Sequence, residues 1–467
     1  MQRKDILQIG TGNFLRGFSC WMVQKMIDRS LIDSKVHMVQ THGKMLPQAF
    51  ADQGNKFHVL EQGLENGTPV SRVTLIDCVK EAINANQEPE AFYSLAENPN
   101  LKFVISNTTE AGIVFEKEER PKIGEIPNSF PAKMTAFMFY RFNQFEGNPD
   151  KGLIFLPCEL IENNAAKLKE YMLKHAENWE MPLGFLDWIK SSNHYCNTLV
   201  DRIVPGMPKE DYDEIRESIG FDDKLLVKTE PFHFWAIEGG EKVREEFPAD
   251  QAGMNVVFTS ELEPYRKRKV KILNGAHTAL VPLAYLQGFR SVRESVENEE
   301  IEKFLKDMIS EEIIPTLDMN KNELESFAED VLERFKNPFV HHELLSIALN
   351  SISKFKVRLL PTLLEYREKS GKWPDLICLS FAKLLVFYSG MDLEGSQIPL
   401  QDNPDYVLAF KEAWKNDKLE GFLNEVLSNK EMWGIDLSEM KGLKEQIVLS
   451  IDFEGHKKML KNRIQKN

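Results

Sequence analysis

Three residues able to move or hold a proton stand close together in one run, Lys269-Val-Lys-Ile-Leu-Asn-Gly-Ala-His277. The amine of Lys269 can act as an acid or base. The carboxamide of Asn274 can donate to a developing oxyanion, and the imidazole of His277 can orient either partner. Apolar spacing predicts a helix here. At about 100° per residue, Asn274 and His277 fall roughly 60° apart, with Lys269 roughly 80° beyond His277 on the other side. The three share one broad face. The set with Lys271 spans roughly 120°, against roughly 140° with Lys269, so helical geometry leaves two lysines in play. The competing reading of such a face is an ordinary solvated stripe.

The start of the chain has the pattern of a segment that could hold a nucleotide cofactor. Ile6-Leu-Gln-Ile9 reads as a short buried strand, Gly10-Thr-Gly12 as a tight turn, and the run from Asn13 as a helix. Strand, glycine turn and helix in that order suggest a dinucleotide-binding unit, in which backbone amides at a helix N-terminus meet a pyrophosphate. Gly10, Gly12, Asn13 and Phe14 would line that turn, and Arg16 would place a cation beside the phosphates. The usual third glycine is replaced by Leu15, and the next glycine is Gly17. A second strand, Val36 to Gln40, ends without the acid that commonly reads a ribose; Gln40 can hydrogen-bond the hydroxyls, and Lys44 is the nearest cation. NAD is the expected cofactor. Lys102 to Ser106 reads as a strand, and Asn107 and Thr108 just beyond it suit contacts on the nicotinamide side.

Further along, Val70 to Val79 reads as part of an inserted hairpin, Glu90 to Ala96 as a short helix and Gly152 to Leu156 as a strand. Asn163 and Asn164 stand at the start of a helix running to about Ala176, either capping it or aiming an amide at substrate. Phe185 to Ser192 reads as helical, Asp201-Arg202 as a local ion pair, and Glu230 to Glu238 as a strand closing the first domain. From about Phe258 apolar residues recur at helical spacing and strand signals become scarce. The expected organisation is an α/β domain over 1–257 and an all-helical domain over 258–467, with a site between them.

Composition sets outer limits. The chain has 467 residues, more than one ordinary core accommodates, with 42% hydrophobic and 28% charged residues. A net charge of −14 argues against general affinity for nucleic acid or an anionic membrane. Cys20, Cys78, Cys158, Cys196 and Cys378 are scattered and lack metal-ligand spacing, which favours reduced thiols in a cytoplasm and no structural zinc. No apolar run spans a bilayer, and no signal-peptide segment opens the sequence. Homo-oligomerisation is left open.

Four motifs, in this order, resemble the mannitol dehydrogenase family of long-chain polyol dehydrogenases: Gly10-x-Gly12-Asn-Phe-x-Arg16, Val200-Asp-Arg-Ile203 with Pro205, Trp235-Ala-Ile-Glu238, and the Lys269, Asn274, His277 motif. The resemblance implies a Rossmann-type α/β N-terminal domain plus an all-α C-terminal domain, and metal-independent hydride transfer with a nicotinamide cofactor. It makes Lys269 the acid/base, lets Asn274 hold the substrate oxygen, and lets His277 orient both. A second oxyanion asparagine of the family falls in Cys158 to Asn164, where Leu160 replaces one asparagine and Asn164 matches the other. The family's aspartate in Val-Asp-Arg-Ile corresponds to Asp201. Of two substrate-binding positions in the helical domain, the arginine becomes Ser346 and the lysine is kept as Lys354. The phrases Ser106 to Gly112, Ser129 to Lys133, Pro157 to Ile161, Lys271 to Leu280 and Leu349 to Lys354 most resemble the branch acting on keto-sugar acids. They imply reversible NADH-dependent reduction of D-tagaturonate to D-altronate in hexuronate catabolism. Fructuronate reduction, or turnover of another polyol, is the alternative; a dinucleotide sensor without turnover would have little need of the full Lys/Asn/His set. The substrate's carboxylate needs a cation, and Lys354, Arg358 and Lys271 are the candidates.

Overall fold

The computed structural model describes residues 2–41, 46–108, 112–122, 124–208 and 211–464, with backbone alone at residues 46 and 459–464. Lys44 and part of the Ser106 to Gly112 phrase lie outside them. The chain forms two compact units, Met1–Gly63 with Pro69–Leu262, and Leu64–Thr68 with Glu263–Asn467.

The first unit carries the strands β1 Asp5–Ile9, β2 Val36–Gln40, β3 Phe57–Glu65, β4 Thr68–Ile76, β5 Val79–Asn84 and β6 Leu101–Ser106. They are followed by β7 Ile154–Pro157, β8 His194–Tyr195, β9 Thr198–Asp201, β10 Val227–Thr229, β11 Phe234–Glu238 and β12 Val256–Thr259. The principal sheet has the order β5-β2-β1-β6-β7-β8, all parallel. Counted within the sheet, this is third, second, first, fourth, fifth, sixth, the dinucleotide-binding order, and its direction reverses between β1 and β6. Both faces are covered. Ile6, Phe103, Ile105, Ile154 and Leu156 enter one apolar core, while Leu7, Ile9, Val104 and Phe155 enter the other. Such strands read as continuous apolar runs, which is why β1, β6 and β7 were legible.

Two smaller sheets, β10-β3-β4 and β12-β11-β9, complete the unit. The expected hairpin is present, with β3 and β4 joined through Asn66 and Gly67, both at positive φ. The strand expected to close the domain is shorter than read and does not close it: β11 is followed by the helix Glu241–Glu246 and by β12, its parallel neighbour. The helix Phe130–Gln144 escapes periodicity because its first nine residues are all buried, leaving no polar face to mark it. All five cysteines are buried, and burial pushes the Cys20 and Cys196 thiols up to about 12.

Beyond Thr259 the described residues contain helices and no strand. The helix Gly275–Leu286 is buried along almost its whole length. A Cβ at Gly275 would come 3.3 Å from the Leu359 side chain, so the small residues after Asn274 let the helix approach its neighbours closely. Glu312 reaches across to accept the backbone N–H groups of Leu376 and Ile377, capping the helix Asp375–Phe387 from outside, and burial raises its carboxyl to about 7. Among the described residues no helix is long and apolar enough to cross a membrane.

Candidate active site

In the first unit, the glycine turn is built from below by Gln8. This buried strand residue donates to the Gly10 carbonyl and accepts from Ser19 Oγ at 2.7 Å and Cys20 Sγ at 3.1 Å, tying strand, turn and helix together. Gly10 has φ +123°, and a Cβ there would lie 3.1 Å from the Asn107 carbonyl oxygen. The ends of β1 and β6 therefore meet at this turn, and Asn107 N–H donates to the Ile9 carbonyl. A Cβ on Gly12 would meet nothing within 4 Å. That open space above a backbone at a helix N-terminus fits a pyrophosphate. The packing role of the third glycine falls to Gly17, where a Cβ would stand 2.6 Å from Thr229 Cγ2 and 3.1 Å from Val227 Cγ1. The helix is π-helical over Arg16–Cys20, so the glycine is displaced along the chain relative to the usual spacing. Phe14 stacks on Phe18 with centroids 5.0 Å apart.

Two expectations need correction here. Arg16 is buried, and its guanidinium donates to the Thr11 and Leu225 carbonyls and to Asn13 Oδ1. It braces the turn from inside, and burial lowers its pKa to about 10. Asn164 is equally enclosed. Its Nδ2 donates to the Pro157, Glu159 and Thr198 carbonyls, while its Oδ1 accepts from Ala165 N–H and Thr198 N–H. Both amide hydrogens are engaged in joining β7 to β9, which leaves none for an oxyanion. The expected capping fails too: the residue before the helix, Asn163, sits at φ +53° and makes no cap hydrogen bond.

Thr108 is also committed, its N–H and hydroxyl both donating to Glu159 Oε1, while Ser106 donates to Glu159 Oε2. Burial raises the Glu159 carboxyl in spite of these donors. Asp201 is buried at the end of β9, opposite Phe234. Its neighbour Arg202 reaches further than a local pair: it donates to the Gly17 and Glu230 carbonyls, meets Glu61 at 3.3 Å, and lies over the Trp21 ring. The Val-Asp-Arg-Ile motif thus anchors the first helix. Gln40 ends β2 buried, its carbonyl accepting from Ala85 N–H.

In the second unit, the segment Lys269–Asn274 is a π-helical turn leading into the helix Gly275–Leu286. Counting 100° per residue therefore fails through this stretch, and the two lysines are separated by surroundings instead. Lys271 is buried, with Nζ 2.5 Å from Glu365 Oε2 and 3.1 Å from Thr316 Oγ1. Its ammonium is held inside the fold, which corrects its expected place among the substrate ligands. Lys269 is half-buried, as is Asn274, whose carbonyl accepts the Thr278 hydroxyl at 2.8 Å.

His277 stacks on Phe335 at 4.1 Å and meets the His342 ring edge-on at 5.3 Å. Its Nε2 is buried and makes no hydrogen bond within the described residues. Burial lowers its pKa well below the usual range, and His342, Arg334, Arg358 and Lys354 lower it further. A neutral imidazole among cations, with a buried nitrogen that has no hydrogen-bond partner among the described residues, is suited to hydrogen-bonding an oxygen-rich ligand. Arg358 Nη1 donates to Thr278 Oγ1 at 3.2 Å, and Lys354 Nζ donates to the Ile347 carbonyl at 2.7 Å. The structure thus brings His277, Lys354 and Arg358 into one cationic cluster. Sequence reasoning missed His342, Thr278, Thr316 and Glu365. Glu365 lies 94 positions from Lys271, beyond any spacing signal.

Comparison with known proteins finds relatives along both units of the chain. The family model described as mannitol dehydrogenase Rossmann domain matches residues 4–250, and that for the mannitol dehydrogenase C-terminal domain matches residues 261–452. Altronate oxidoreductase of Bacillus subtilis (strain 168) is 41% identical over 452 residues, covering 96% of this chain and 92% of the relative. The protein of the same name from Bacteroides thetaiotaomicron is 41% identical over 463 residues, covering 98% and 96%. In fold, the chain is similar to a D-sorbitol dehydrogenase (TM-score 0.79, 20% identity, 98% and 97% covered). It is also similar to Pseudomonas fluorescens mannitol 2-dehydrogenase, solved with NAD and D-mannitol (TM-score 0.64, 21% identity, 100% and 95% covered). With both family models matched in order and full-length relatives at this identity, the chain belongs to the mannitol dehydrogenase family.

Proposed function

We propose that this chain is an NADH-dependent oxidoreductase that reversibly converts D-tagaturonate, NADH and a proton to D-altronate and NAD⁺. The observation that carries the reading is the likeness, over nearly the whole chain, to relatives named altronate oxidoreductase. Dinucleotide binding is assigned to residues 1–257 and substrate chemistry to residues 258–467. The open backbone at Gly12 and the buried support from Gln8 fit a dinucleotide, with Gly10, Asn13, Gln40 and Asn107 as its further neighbours. When bound, the nicotinamide supplies the hydride.

The chain's own residues do the rest. Lys269 delivers the proton to the ketone oxygen during reduction and removes it during oxidation. Asn274 donates to that oxygen as negative charge develops. His277, neutral and with a nitrogen that has no partner among the described residues, fixes the position of a substrate hydroxyl. The contacts of Lys271 with Glu365 and Thr316 support Lys269 over Lys271 as the acid/base. The test is a comparison of kcat/KM for tagaturonate, fructuronate and fructose, each with NADH and NADPH. Tagaturonate with NADH is expected to be fastest; a preference for fructuronate would reassign the substrate, and a preference for fructose would remove the acid from the reading.

A further inference from the structure

Arg358 stands on the helix Ser351–Arg358, half-buried, and its guanidinium makes one hydrogen bond among the described residues, to the Thr278 hydroxyl. Among the described residues no carboxylate lies within ion-pairing distance of it, and the same holds for Lys354 one helical turn earlier on that helix. Elsewhere in this unit, cations near the surface do find acids: Arg290 meets Asp392, and Lys336 meets Glu302. A half-buried guanidinium with four donors left over has given up hydration without gaining an anion from its own chain. Burial lowers its pKa from the ordinary arginine value, and it lowers that of Lys354, which Arg358 lowers further. His342 and His277 complete the surroundings; burial lowers both, Lys354 lowers both further, and Arg358 adds to the effect on His277. Asp402 is the acid that acts on Lys354, and it is occupied by the Tyr388 hydroxyl and Ile352 N–H.

The tether has a direction. Arg358 donates to Thr278 Oγ1, and Thr278 donates to the Asn274 carbonyl. One hydroxyl therefore links the guanidinium to the turn that carries the proposed oxyanion donor. We propose that Arg358 is the residue that recognises the carboxylate of the sugar acid, with Lys354 beside it, and so makes the site selective for keto acids over neutral ketoses. A planar fork suits a carboxylate bidentately in a way that an ammonium does not. Charge recognition thus falls to a residue whose guanidinium is fixed in place by the Thr278 hydroxyl. This inference rests on the proposed keto-acid reduction.

The experiment compares tagaturonate with its neutral methyl ester in wild type and in Arg358→Gln. Wild type is expected to favour the acid by about 100-fold in kcat/KM, the order of a desolvated charge-assisted pair. In R358Q the acid is expected to fall by that factor, mostly through KM, while the ester changes less than about threefold, so the preference disappears. Arg358→Lys keeps the charge and loses the fork, and is expected to retain a preference of about tenfold. If R358Q keeps the wild-type preference, or loses acid and ester alike, Arg358 is not the carboxylate ligand. If R358Q fails to fold, R358K decides: a full wild-type preference overturns the proposal. Failure of the underlying reading looks different, because wild type itself would then turn over neither tagaturonate nor its ester.

Discussion

Removing Glu365 should cost the second unit more stability than removing its partner Lys271, and neither loss should resemble the loss of Lys269. The Lys271 side chain is 8% exposed and that of Glu365 42%. In Glu365→Ala the ammonium remains inside with one hydroxyl, Thr316, as partner. The cost lies between that of an exposed pair, about 0–1 kcal/mol, and that of a fully buried pair broken on one side, about 3–5 kcal/mol. About 2 kcal/mol is expected, which for a unit of this size lowers Tm by about 4–8 °C. In Lys271→Met the buried charge is gone and Glu365 can rehydrate, so about 1 kcal/mol is expected. The double variant Lys271→Met/Glu365→Leu should recover most of the loss. Lys269→Met should leave the denaturation midpoint within about 1 kcal/mol of wild type and reduce kcat by about 10²–10⁴-fold with NADH binding intact. Urea titrations followed by tryptophan fluorescence, with single-turnover rates on the same preparations, give both quantities. A Lys271→Met enzyme that folds normally but has no turnover, beside an active Lys269→Met, would refute the assignment.

Three further outcomes are expected. Gly17→Ala places a methyl 2.6 Å from Thr229 Cγ2 and should destabilise by about 1–3 kcal/mol, whereas Gly12→Ala meets nothing within 4 Å and should weaken NADH binding while leaving the melting temperature unchanged. Asn164→Ala should lower the melting temperature by more than its effect on kcat would suggest, and Asn274→Ala the reverse; comparing melts with turnover separates them. Burial lowers His277, His342 and His175, and takes His233 and His456 down to about 4. Such groups take up protons in the unfolded chain first, so stability falls as pH drops below the unfolded value of about 6.5, by up to about 1.4 kcal/mol per pH unit for each. His37 opposes this, because Asp5 and Glu81 outweigh its burial and raise it. The urea midpoint should therefore be lower at pH 5.5 than at 7.5, and His456→Asn should narrow the gap; a flat profile would contradict the buried-neutral assignment.

The elements with a regular period are legible in the sequence. β1, β6 and β7 announce themselves as apolar runs, and the helical second half shows its 3.6-residue spacing. What escaped follows from physics that a linear reading lacks. The π-helical turns at Arg16–Cys20 and Lys269–Asn274 each shift the angular register, which displaced the third glycine and blurred the choice of lysine. Arg16 and Asn164 carry polar groups that look free in a motif, yet their partners are backbone carbonyls of remote segments, Leu225 for one and Thr198 for the other. Buried polar residues are used up by whatever lies beside them in three dimensions, and that is fixed by topology. The cationic surroundings of His277 were half visible, through Lys354 and Arg358, while His342 gave no periodic signal.

The five buried cysteines have a practical consequence. Thiol reactivity depends on thiolate and access, and here burial suppresses both. The wild-type chain is thus a silent background for maleimide chemistry. A cysteine introduced at an exposed position, such as Leu183 in the first unit or Leu449 in the second, would react alone under native conditions. A donor and acceptor dye placed at those two positions would report the separation of the units as cofactor and substrate are added, without any native thiol having to be removed first.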